Sequence, residues 1–229
     1  MPDQPVNPLI LAVDTTHEFG SLALLRGDEI LEAVLLHSPS GFGHVLYGHL
    51  GELLRRHGVR VAEIDCFAAA SGPGSFTGVR VGLACVKGLA EAADRPAVAI
   101  SNLQAVACFG RAALRATVLD ARRGDIYGAV YDDAARLVMP ETVAKVEAWL
   151  ETLPEGDLEF VSTDFAPLEA ALAGTRFANA RTVVAPKALA GVVGRLALVR
   201  WRSGEAADPA ALDANYVRRS DAELFWKES

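Results

Sequence analysis

The chain has 229 residues, 51% of them apolar and 22% charged, with a formal net charge of −7. That length supports a sizeable core in one domain or two small ones, the composition is not that of a disordered chain, and no apolar run approaches the ~18 residues of a membrane span. The acidic balance argues against nucleic acid as a direct ligand, because phosphate backbones are held by concentrated Lys and Arg.

The N-terminus, MPDQPVNPLILAVD, has neither a basic region nor an apolar run of signal length, so the chain is expected in the cytoplasm. Leu9–Val13 reads as a buried strand, with Ser21–Leu25 and Glu29–Leu36 as partners around the turn Arg26-Gly27-Asp28. Val45, Leu46, Leu50, Leu53 and Leu54 recur at helical spacing over Val45–His57, and Gly58 ends that helix. Ile64–Ala70 is a strand. Ser71–Ala90, SGPGSFTGVRVGLACVKGLA, follows as strand end, Gly/Pro loop and a helix from Thr77. Ala97–Ile100 is a short strand, and Ser101-Asn-Leu-Gln104 fits a capping box opening a helix to about Leu114.

The pattern then restarts. Ala116–Asp120, Ile126–Tyr131 and Leu137–Met139 are strands, followed by a helix over Thr142–Thr152. Leu158–Val161 is a strand, Pro167–Ala173 a short helix, Thr182–Val184 a strand and Lys187–Ser203 a long helix. ILAVDTTHEFGSLALL and ATVLDARRGDIYGAVY begin the two copies alike: an apolar strand ending in Asp, a polar turn with glycine, a second apolar strand. The expected fold is α/β, two duplicated βββαβαβα domains over residues 1–102 and 103–229, with parallel pairing beyond each meander. The chain after Pro209, including Tyr216-Val-Arg-Arg219, is not periodic and reads as an extended tail.

The helix from Thr77 is apolar nearly all round, with only Arg80 and Lys87 breaking its surface. Such a helix is covered on more than one side. Two covers fit: the core of its own domain, or another chain. Gly78, Gly82 and Gly88 each weaken the helix by about 0.8–1 kcal/mol against Ala, and small residues four apart admit a close neighbour. With the helix from Val45, where Tyr47, Gly48 and Gly51 lie off the core face, it is expected to form an intermolecular contact through Phe76, Thr77, Gly78, Val79, Gly82 and Val86. A second copy would build a symmetric interface there.

Other constellations carry two readings each. Asp14-Thr15-Thr16 is a hairpin whose polar residues bind their own backbone, or a phosphate or metal contact echoed by Asp120. Arg122 would pair with Asp14 or a phosphate, or belong to a charged turn. Gly72, Gly74 and Gly78 miss the dinucleotide spacing, and no Gly-Lys-Ser/Thr follows, so the loop is expected to shape a strand-to-helix turn. Ser75 or Thr77 would cap the helix there. His44 and His49 are five apart, which breaks the i, i+4 spacing of a metal pair; with His37 and His57 they read as surface histidines. Cys66, Cys85 and Cys108 show no CxxC spacing and are expected buried, reduced and inert.

A duplicated βββαβαβα unit is the plan of the actin-like ATPase superfamily. Within it, the succession DTTHEFGSLAL, SGPGSFTGVRVGLACVKGLA, DARRGDIYGAVY and NYVRR, spanning Leu9 to about Trp226, resembles the TsaB family, formerly YeaZ. The resemblance implies a non-catalytic scaffold or activating subunit in making threonylcarbamoyladenosine at adenosine 37 of tRNA. It implies heterodimers with the transferase TsaD, recruitment of the ATPase TsaE, homodimers when alone, and tRNA met through the complex. No catalytic or metal residue is expected, nor a tightly bound cofactor. Residual nucleotide contacts would fall on Asp14, Thr15, Thr16 and Asp120, with ATP or ADP at a site shared with TsaD and TsaE. The competing expectation is an actin-like ATPase or a glycoprotease-like metallopeptidase acting in its own right.

Overall fold

The computed structural model describes residues 5–217. Three strands, β1 (Leu9–Asp14), β2 (Phe19–Arg26) and β3 (Glu29–His37), form a meander, followed by α1 (Leu46–Arg56), β4 (Cys66–Ala70), α2 (Phe76–Ala93), β5 (Ala97–Ile100) and α3 (Asn102–Ala107). The same order follows in β6 (Leu114–Asp120), β7 (Asp125–Asp132), β8 (Leu137–Lys145), α4 (Val146–Thr152), β9 (Leu158–Ser162), α5 (Glu169–Ala173), β10 (Arg181–Val184) and α6 (Ala190–Arg202). The sheets run β3-β2-β1-β4-β5 and β8-β7-β6-β9-β10, so the duplicated fold is present strand for strand. In each, the central strand pairs antiparallel with its meander neighbour and parallel with the strand after the first helix. β1 is buried along its whole length because both sheet faces are covered there.

Of the described residues, one compact unit joins those up to Asn102 with Lys187–Asn215, and a second holds Leu103–Pro186. This corrects the division at 102/103 alone. α6, last in the second repeat, packs on β1, β2, β4 and β5 of the first sheet. Its glycines explain the fit: a Cβ on Gly191 would lie 2.9 Å from Ile30 Cδ1, and one on Gly194 would overlap Leu25. Ser21 Oγ accepts from the Ala190 N–H at 2.9 Å, which fixes the helix start on the sheet.

Two other boundaries differ. α3 stops at Ala107, well short of Leu114. The Glu159 carboxylate on β9 accepts the backbone N–H groups of Arg111 and Ala112, turning the chain into β6. Gln104, expected to close a capping box, sends its amide to the Ala135 carbonyl at 3.1 Å. Residues 142–145 continue β8, pairing with Asp125–Gly128, and helix begins only at Val146. Arg218, Arg219 and the tail to Trp226 lie outside the described residues, and no helix of those described is long and apolar enough to cross a membrane.

Candidate functional site

β1 ends at Asp14, opposite Ser21. Asp14, Thr15 and Thr16 are all buried. Asp14 Oδ1 accepts the Thr16 N–H at 3.0 Å and the Thr16 hydroxyl at 2.6 Å. Asn102 Nδ2 donates to Thr16 Oγ1 at 2.8 Å and lies 3.5 Å from Asp14 Oδ1. One carboxylate oxygen of Asp14 and the Thr16 hydroxyl are thus hydrogen-bonded within the turn and to Asn102, as buried polar groups generally are.

The Gly/Pro loop and α2 close over this hairpin. Ser75 N–H donates to the Thr16 carbonyl at 2.6 Å, and Thr15 Oγ1 donates to the Gly78 carbonyl at 2.7 Å. A Cβ on Gly74 would sit 2.5 Å from the Thr16 carbonyl oxygen, one on Gly82 would sit 2.6 Å from Thr15 Oγ1, and one on Gly78 would overlap the Thr15 carbonyl oxygen. The helix glycines are thus small for the hairpin. Gly78, Val79, Gly82 and Val86, expected to face another chain, are buried within their own unit. That is the correction to the interface reading: small residues four apart do admit a close neighbour, and here the neighbour is Thr15. Ser75 does accept from the Gly78 N–H, at 3.3 Å, as a helix cap.

In the second unit Asp120 has the same place in the repeat and another environment. It is exposed, and its Oδ1 accepts the Arg122 N–H at 2.8 Å across its own turn. Arg122, Arg123 and Gly124 take left-handed φ of 65°, 58° and 76°. The Arg122 guanidinium is 3.8 Å from the Asp120 carboxylate of the same turn. Lys145 braces the hairpin through Asp125 at 2.7 Å and the Arg123 carbonyl at 3.0 Å. Asp14, Thr15 and Thr16 thus form one cluster with Asn102 in the first unit, and Asp120 lies in an open turn of the second. The sequence pattern marks Asn102 only as part of a helix start. Its signal is position: it lies two residues past the end of β5, beside the end of β4, and polar residues at the carboxyl ends of adjacent strands are where α/β sheets build sites.

The outward side of α1 and α2 is a different surface. Tyr47 is 60% exposed and Phe76 41%. Gly48 and Gly51 on α1, and Thr77, Arg80, Ala84 and Gly88 on α2, are exposed as well. A Cβ on Gly48, Gly51 or Gly88 would meet nothing within 4 Å. The Arg80 guanidinium lies 3.6 Å over the Phe76 ring. Tyr47 reaches the Cys85 thiol, which burial pushes up to about 11; burial likewise pushes Cys66 up to about 12, so both stay protonated and unreactive. Cys108, expected buried, is only partly so.

His44 and His49 are exposed, and His57 lies 2.8 Å from Glu32. Among the described residues no three His, Cys, Asp or Glu are gathered to hold a metal. A groove of about 220 Å³ in the second unit, lined by Glu147, Leu150, Glu151, Thr175, Arg176 and Phe177, contains none of the residues anticipated from sequence.

Two sheets of one repeated order, each with an acidic hairpin ending its central strand, define a protein of the actin-like ATPase fold. The activator of 2-hydroxyisocaproyl-CoA dehydratase from Clostridium difficile, solved with bound ADPNP, shares that fold at a TM-score of 0.51 and 11% identity, over 86% of this chain and 97% of that one. The chain belongs to the TsaB family. It is 30% identical to the tRNA threonylcarbamoyladenosine biosynthesis protein TsaB of Bacillus subtilis strain 168, over 96% of this chain and 98% of that protein. The structure of YeaZ from Pseudomonas aeruginosa superposes at a TM-score of 0.79 with 26% identity, covering 91% of this chain and 99% of that one. The family profile described as "TsaD: tRNA N6-adenosine threonylcarbamoyltransferase" matches residues 44–205, so the chain is also akin to the transferases.

Proposed function

We propose that this chain serves tRNA threonylcarbamoyladenosine biosynthesis as a non-catalytic, cytoplasmic subunit, docking on the transferase TsaD through the outer faces of α1 and α2. The observation that carries the reading is that exposed face: Tyr47 and Phe76 stand beside glycines whose missing side chains face open space. Exposed aromatics next to small residues suit close helix packing with a partner. A stable contact of this kind buries roughly 800 Å² on each side. TsaE joins the pair, and tRNA is met through the assembled complex. Without TsaD, a second copy covers the same face and gives a homodimer.

The hairpin bears on the competing enzymatic reading. Asp14 is already engaged by Thr16 and Asn102, and the Thr16 carbonyl is held by the loop before α2. That arrangement speaks against a metal–nucleotide site made by this chain alone, so ATP or ADP is assigned to a site shared with TsaD and TsaE.

The test uses Gly51→Arg and Ala84→Arg, which place a long cation on the outward face without entering the core. Both variants should keep the circular dichroism spectrum of the parent, lose co-purification with TsaD and lose transfer activity in the reconstituted complex. Each subunit assayed alone should be inactive. Folded variants that bind TsaD with unchanged affinity would overturn the docking reading, and robust turnover by the purified chain would overturn the non-catalytic one.

A further inference from the structure

The chain leaves the first unit at Asn102 and again at Asn215. Both exits are held by one dipeptide, Ser71-Gly72, at the end of β4. Asn102 N–H donates to the Gly72 carbonyl at 2.8 Å, and its side-chain Oδ1 accepts the Gly72 N–H at 3.0 Å. Asn215 N–H donates to the Ser71 carbonyl at 2.8 Å. Gly72 has φ +101°, and a Cβ there would lie 3.3 Å from both the Asn215 carbonyl oxygen and Val79 Cγ2. No L side chain suits that backbone and that space together.

The same dipeptide leads into α2. Three residues beyond Gly72, Ser75 N–H is held by the Thr16 carbonyl, and Phe76 begins the helix. Asn102 grips both ends of this path, with Gly72 on its carboxamide oxygen and Thr16 Oγ1 on its nitrogen. It is wholly buried. Its carboxamide accepts from Gly72 and donates to Thr16 at once, a pairing of acceptor and donor that neither Ala nor Asp reproduces.

We infer that Asn102 is a positioning residue for the outer face of α2: by clamping Gly72 and Thr16 it fixes where Phe76, Thr77 and Arg80 are presented, and it ties that start to the points where the chain departs for the second unit. The inference rests on the docking reading for its partner, while the ordering of the helix start can be tested without one.

The experiment compares Asn102→Ala with Leu25→Ala, which loosens the α6 side of the same sheet without touching the node. Thermal unfolding, amide exchange and affinity for TsaD are measured on each. Losing a buried hydrogen-bonded group of this kind corresponds to about tenfold or more in an equilibrium. Asn102→Ala should therefore speed exchange of the Gly72 and Ser75–Gly78 amides about tenfold more than Leu25→Ala does, and weaken TsaD binding by a similar factor. Thr16→Val, which removes only the bridging hydroxyl, replaces Asn102→Ala should the latter fail to fold, and Thr16→Ser should restore both readouts. Exchange at Ser75–Gly78 no faster than in Leu25→Ala overturns the inference, whatever happens to binding. Local exchange that rises while affinity holds, in a protein whose Gly51→Arg variant does lose TsaD, overturns the link to docking alone. If Gly51→Arg also binds normally, the docking reading fails and the exchange result still decides the role of Asn102.

Discussion

Asp14 and Asp120 close equivalent strands of the two repeats, yet one is 1% exposed and the other faces solvent. The first hairpin is pinned by groups from far along the chain: Ser75, Gly78, Gly82 and Asn102. The second is held by its own turn and by Lys145 on the adjoining strand. A strand–Asp–turn–strand pattern therefore specifies the hairpin and leaves its environment to whatever closes over it. In the first repeat the Gly/Pro loop and a glycine-faced helix do so, and the hairpin becomes part of the core.

The sharpest way to break this comparison is to add one methyl group to each side of it. Gly78→Ala would drive a Cβ into the Thr15 carbonyl, where backbone meets backbone and neither yields cheaply. Overpacking of this kind costs about 1–3 kcal/mol and sometimes more, so denaturant unfolding should show about 3 kcal/mol lost or no folded protein. A Gly78→Ala variant as stable as the parent would mean that α2 does not seat on the hairpin.

Next in size is the pair of acids. Asp14→Ala takes the acceptor from the Thr16 N–H in a buried place, with one partner of its hydroxyl, and should cost about 2 kcal/mol. Asp120→Ala removes one exposed turn contact and should cost about 0.5 kcal/mol. Equal losses would show that the two hairpins are in equivalent environments after all.

Much of this was legible in sequence. The repeat, the parallel pairing beyond each meander, the core face of α1 and the buried run of β1 follow from the pattern of apolar residues. What periodicity does not carry is the partner across a contact. Gly78 and Gly82 announce a close approach, but Thr15 lies 63 positions before Gly78, and nothing local distinguishes it from a helix of another chain. α6 was misassigned for the same reason: Gly191 and Gly194 fit Ile30 and Leu25, contacts of great sequence separation. Residues 142–145 read as helix because Glu141-Thr-Val-Ala-Lys145 has no strict alternation, and only the pairing with β7 makes them strand.

A smaller effect is expected from the open hairpin. Gly124 has φ +76°, and the nearest atom to a Cβ there is the flexible Lys145 Nζ at 3.5 Å. Gly124→Ala meets backbone strain without a clash, about 1 kcal/mol, measurable as a modest drop in the unfolding midpoint. A loss as large as that of Gly78→Ala would mean that this turn, too, is packed against something.

The smallest effect concerns one partly exposed carboxylate from each repeat. Arg56, then His57, holds the Glu32 carboxyl below its ordinary 4.5, and the Arg136 N–H, followed by its guanidinium and the Ala134 N–H, holds Asp132 below its ordinary 3.8. A carboxyl depressed in the folded state binds its proton more weakly there than in the unfolded chain. Its stabilisation is full above the ordinary value and fades as pH falls through the depressed one. Glu32→Gln and Asp132→Asn should each lower the unfolding midpoint slightly at neutral pH, and the difference from the parent should shrink below about pH 4 as both carboxyls take up protons. Both carboxylates keep contact with water and their arginine partners are exposed, where screening keeps such pairs weak, so salt should erode both differences. A difference that persists in strong acid would place the effect in packing instead. A salt-resistant difference at Glu32 alone would show that the first repeat encloses its surface pairs as it encloses its hairpin.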